Sequence, residues 1–73
     1  MIIQALLFKK DKWNLFQIIQ YLAINNIKYR SYRITSNYYR FRLIEPNYNK
    51  YIYRIARNYK NNNSIDYIEG LLK

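Results

Sequence analysis

The stretch Tyr38-Tyr39-Arg40-Phe41-Arg42-Leu43 alternates strictly in character, and it constrains the fold more than any other part of the chain. Successive side chains of an extended strand point to opposite faces, so Tyr38, Arg40 and Arg42 share one side while Tyr39, Phe41 and Leu43 share the other. One face requires a core and the other requires solvent or an anion. Guanidinium groups beside an aromatic ring offer phosphates a charged fork and bases a stacking surface, which makes nucleic acid the first expectation for a partner.

With 73 residues the chain has room for one small basic domain, residues 1 to 73. Such a domain buries only about 60% of its unfolded surface. No Cys supplies a disulfide and no Cys or His supplies a structural zinc site. Ten Tyr, three Phe and one Trp compensate, since each ring buries a large area at low entropic cost. An oligomer or a bound polymer would stabilise the domain further.

Residues 2 to 8 read as a first strand: the apolar run is too short to cross a bilayer and lacks the basic leader and cleavage site of a secretory signal. Zero Cys fits an intracellular setting. A helix is predicted next, with Asn14 as N-cap, Gln17 as its capping-box partner and Trp13 packing on Ile18 as a hydrophobic staple. Leu15, Ile18, Ile19 and Leu22 form its apolar face, and Phe16, Ala23 and Ile24 widen that face enough to predict a well-covered element. Asn25-Asn26 should close it through a left-handed turn.

Residues 27 to 34 and 38 to 44 then read as a hairpin around Thr35-Ser36-Asn37, ending at Glu45-Pro46. Residues 51 to 57 fit a strand or a short helix, since Ile52, Ile55 and Tyr59 also recur at helical spacing; the strand is favoured. After the polar loop Lys60 to Ser64, residues 65 to 72 return as a last strand, with Gly70 marking a bulge or a close approach. The fold class is therefore α+β: a small antiparallel sheet with one helix on one face, in βαβββ order.

The net charge is +9, and residues 28 to 60 carry nine basic residues against Glu45 alone. Regional basicity of this kind attracts polyanions. Arg30, Arg33, Arg40, Arg42, Arg54 and Arg57, with Tyr38, form the expected nucleic-acid-binding surface, and Lys28, Lys50 and Lys60 lie at its margin. About half of the interleaved tyrosines should be packing residues in so small a domain. No recognition signature for specific bases is present, so backbone contacts dominate the expectation.

Without His or Cys, the commonest general base, the thiol nucleophile and soft metal ligands are missing. Asp66 and Glu69, three residues apart in a strand, should face opposite ways, which disfavours a paired-carboxylate or two-metal site. Gly70 is the sole glycine, so no loop can cradle phosphates in the P-loop manner. The chain is accordingly read as a non-enzyme with no cofactor and no metal.

Phe8, Lys9, the Trp13-Asn14 helix start, Leu22, Asn26, the block Asn37 to Arg42 and Glu45-Pro46 together resemble a short basic domain found in tailed-phage and giant-virus reading frames. The family's block runs Asn-Tyr-x-Arg-Phe-Arg, and the resemblance covers most of the first 46 residues. Beyond Pro46 this chain has Asn61 to Ser64 where the family has a Gly-rich turn. The resemblance implies a viral protein, and with a composition rich in Ile, Asn, Lys and Tyr, typical of an A+T-rich genome, it points to the mimivirus type.

The leading expectation is then a viral protein that coats or condenses genomic DNA through phosphate contacts without sequence preference, with an oligomer that bridges duplexes as one form of it, located in the virion and in the viral factory of the host cytoplasm. The alternative is a virion structural or adaptor module whose Tyr/Arg surface binds an acidic protein, since Tyr and Arg also dominate protein interfaces. DNA and RNA, single and double strands, are equally served by such contacts.

Overall fold

A computed structural model describes all 73 residues. Its elements are β1 (Ile2–Lys9), α1 (Leu15–Ile24), β2 (Ser31–Ile34), β3 (Tyr38–Arg42), β4 (Tyr51–Ala56) and β5 (Ile65–Leu72). The strands form one sheet in the order β2-β3-β1-β5-β4, every neighbouring pair antiparallel, with α1 packed on one face. The α+β class is as expected. Both runs after Pro46 are strands, giving one strand more than the βαβββ order.

The helix starts as its local signals dictate. Asn14 Oδ1 accepts from the Gln17 N–H at 2.8 Å and Gln17 Oε1 accepts from the Asn14 N–H at 3.0 Å, the reciprocal bonds of a capping box. Its end is a Schellman turn: Asn26 adopts φ 55°, its N–H donates to Ala23 O, and the Ile27 N–H donates to Leu22 O. This closure consumes Ile27, which is why β2 starts at Ser31 rather than at residue 27. The coverage of the helix is a correction. Phe16 and Ile24 are 70% and 80% exposed, because the sheet lies beneath one stripe and nothing lies above.

The core consists of Leu6, Phe8, Ile18, Leu22, Phe41 and Ile65. Phe8 sits at its centre, edge-on to Trp13, Tyr21 and Phe41 with centroids 5.1, 5.8 and 5.8 Å away. Trp13 is clamped at its far end, where Nε1–H donates to Ser64 Oγ at 2.9 Å. The loop carrying Ser64 is tighter than its composition predicts: Lys60 and Asn61 both take positive φ between the paired Tyr59 and Asn62, as a two-residue type I′ turn requires.

The ladder irregularity lies in β1, between Ile3 and Ala5, rather than at Gly70. Gln4 there accepts both the Leu43 and Ile44 N–H groups on its carbonyl and donates Nε2–H to Ile44 O. Gly70 marks a close approach instead. A Cβ at that position would meet Tyr53 Cε1 at 2.8 Å. No helix is long and apolar enough to cross a membrane.

Candidate functional site

The β2-β3 hairpin is closed at Thr35, whose N–H donates to Tyr38 O at 2.8 Å while its Oγ1 accepts from the Tyr38 N–H at 3.1 Å. This closure fixes the pairs Ser31↔Arg42, Tyr32↔Phe41, Arg33↔Arg40 and Ile34↔Tyr39. Phe41 is fully buried toward the helix, and Tyr32 stacks on it at 5.1 Å and 14°. Alternation then turns Ser31, Arg33, Arg40 and Arg42 onto the opposite, open face of the sheet.

On that face Ser31, Arg33, Arg40 and Arg42 line a cleft of about 180 Å³, bordered also by Tyr32, whose ring stays on the Phe41 side. No carboxylate lines it. Arg33 and Arg40 sit directly across from each other, and like charges so placed destabilise a sheet unless an anion lies between them. Arg40 Nε is buried without a hydrogen-bond partner, which leaves a donor uncompensated. The nearest acid, Glu45, reaches Arg42 at 3.6 Å across an exposed surface, where such pairs are weak.

A second, wider concavity of about 450 Å³ continues the basic strip at the hairpin end, lined by Lys9, Lys10, Asp11, Ser36, Asn37 and Tyr38. Lys9 pairs with Tyr38 across β1 and β3, and Lys10 donates its N–H to Asn37 O at 3.0 Å and its Nζ–H to Thr35 O at 3.2 Å. Neither lysine was among the expected contacts. They end an apolar strand far from the Arg-rich segment, and only the placement of β1 beside β3 brings them in.

Tyr38 borders this concavity but is anchored. Its hydroxyl donates to Asp66 Oδ2 at 2.7 Å, reaching over β1 to β5. Asp66 is buried, and its other oxygen accepts from the Asn58 N–H at 3.3 Å. The bond to Asp66 first, then burial and the Asp66 charge, raise the Tyr38 pKa above 10.0, while the Arg57 charge acts the other way. Arg57 follows the end of β4 and is exposed, and it does not line the cleft.

The remaining expected contacts are dispersed. Arg54 lies on the helix side of β4, where its Nε–H donates to the buried Glu69 at 2.5 Å. Glu69 and Asp66 therefore serve opposite faces. Lys50 and Lys60 each sit 5.6 Å from a tyrosine ring, those of Tyr51 and Tyr59. Lys28 and Arg30 are exposed in the segment before β2. The structure thus brings Arg33, Arg40 and Arg42 together, adds Lys9 and Lys10, and separates the rest.

Comparison of the chain with protein-family models, with curated proteins and with solved structures finds no match.

Proposed function

We propose that the protein binds nucleic acid through its phosphates, without regard to base sequence, on the open face of the β2-β3-β1 part of the sheet. The observation that carries this reading is the convergence of Arg33, Arg40 and Arg42 on one cleft that no carboxylate lines. Guanidinium groups fit phosphate oxygens with paired donors, and an anion in the cleft would offset the Arg33/Arg40 repulsion. The resemblance to viral domains extends this to a viral protein that coats or condenses genomic DNA in the virion.

A second reading has its own support. β2 is an edge strand, paired with β3 on one side only, with all four residues exposed, and Tyr32 is 47% exposed. An acidic protein segment could add to that edge and meet the same arginines.

Duplex affinity measured across salt concentrations separates the two. Phosphate neutralisation predicts that log affinity falls with log salt at about −0.9 per contact, and that Arg40→Ala/Arg42→Ala flattens the slope by about two units. Equal slopes would remove the cleft from the binding site. Absence of binding by the parent at low salt to duplex and single strand alike would favour the acidic-protein reading.

A further inference from the structure

The open face carries a second feature that phosphate neutralisation does not use. Tyr51 and Tyr53 of β4 point to the same side as Arg40 and Arg42, since Tyr53 pairs with Gly70, which alternates with Ile68 opposite Ala5, and Ala5 pairs with Arg42. Tyr53 lies over the Gly70 backbone, and its hydroxyl accepts the Asn47 N–H at 2.7 Å, so the ring is held at both ends. Tyr48 stands edge-on to Tyr53 with centroids 5.4 Å apart, and the Tyr51 ring lies tilted against it at 6.1 Å. Lys50 Nζ is 5.6 Å from the Tyr51 ring.

None of these rings belongs to the hydrophobic core under the helix. Tyr48 is 68% exposed and stands against the fixed Tyr53 ring, so a large ring is kept at the surface. Between this cluster and the arginine cleft the face offers Ala5, Ile68 and Gly70, and the next open-face residue along β5, Asp66, is buried and bonded to Tyr38. The β3 and β4 strands are separated by three inter-strand steps, roughly 14 Å at the usual spacing. Arg42 and Tyr53 occupy adjacent cross-strand rows.

The geometry points to single-stranded nucleic acid as the ligand, with phosphates at the arginine cleft and at Lys50 and with unpaired bases stacked on the Tyr48/Tyr51/Tyr53 cluster. The inference rests on the phosphate-binding reading above and narrows it. A duplex keeps its bases stacked inside and would leave the tyrosines idle. An extended single strand satisfies both features at once, because every base has a face that stacks on an aromatic ring and every linkage carries a charge.

The test uses the full chain and fluorescein-labelled strands of about 20 nucleotides: oligo-dT, an abasic strand with the same backbone, and a duplex. The informative quantity is the ratio of oligo-dT affinity to abasic affinity at one salt concentration. It should lie well above one for the parent, fall roughly 5- to 150-fold in Tyr48→Ala, the range for one base stacked on an aromatic ring, and be retained in Tyr48→Phe. A parent ratio of one, or a ratio that Tyr48→Ala leaves unchanged, overturns the inference. If the abasic strand still binds with a steep salt dependence in that event, the phosphate reading stands alone. If none of the three probes binds at low salt, both fall together.

Discussion

Gly70→Ala tests the floor of the tyrosine cluster directly. The added Cβ would lie 2.8 Å from Tyr53 Cε1 and 3.0 Å from Ile2 Cγ1. Carbon atoms pack best at about 3.5–4.0 Å, so the tyrosine ring must retreat by roughly 0.7 Å or more. It cannot do so freely, because the Asn47 N–H holds its hydroxyl and the Tyr48 and Tyr51 rings pack against it. Overpacking of this kind costs about 1–3 kcal/mol. A domain of this size loses about 4–8 °C in Tm per kcal/mol, so thermal unfolding followed by circular dichroism should show a fall of roughly 4–24 °C.

The control is the same substitution in a Tyr53→Ala background. Only Ile2 Cγ1, at 3.0 Å, then remains close and need give by only a few tenths of an ångström, and alanine regains about 0.5–1 kcal/mol over glycine within a strand. Gly70→Ala should be near neutral there. An equal loss of Tm in both backgrounds would refute the argument, since the ring would not be what fills the space.

Phe41→Ala removes the residue that orients the whole β2-β3 hairpin, and should cost about 3–5 kcal/mol. A chain of this length is stable by about 4–11 kcal/mol in total, at roughly 0.05–0.15 per residue, so urea unfolding should show a midpoint sharply lowered or no native baseline at all. A midpoint close to the parent's would place the arginines on the wrong face. Tyr38 and Tyr21 both ionise later in the folded chain than their ordinary 10.0, Tyr38 chiefly through its bond to Asp66 and Tyr21 chiefly through burial. Their stabilising effect is therefore fully present below pH 10 and is lost as pH rises through the higher folded values. Tyr38→Phe should flatten the alkaline fall in stability, measured as Tm against pH from 8 to 12; an unchanged profile would detach Tyr38 from that fall.

Much of this protein is written locally. Asn14 and Gln17 mark the helix start because their bonds close within one turn, and Asn26 marks its end because a left-handed residue suffices to close it. The alternation from Tyr38 to Leu43 settles which side chains face the core, since a strand has a period of two whatever it pairs with. On this ground the grouping of Arg40 with Arg42 on the face opposite Phe41 is legible without coordinates. The turn at Thr35-Ser36-Asn37 adds Arg33, because a hairpin register follows from its loop.

The remainder depends on strand order, which is non-local. Lys9 and Lys10 join the basic strip only because β1 inserts between β3 and β5. Arg54 lies in the same basic segment, yet pairing of β4 with β5 sets it against Glu69 on the helix side and neutralises it. The exposure of Phe16 and Ile24 follows from the absence of a second layer over the helix, and the hydrophobic pattern alone does not specify how many layers cover it. Charge and periodicity thus determined what each segment could present; the order of strands in the sheet decided which of those charges stand together, because it alone sets which distant residues become neighbours.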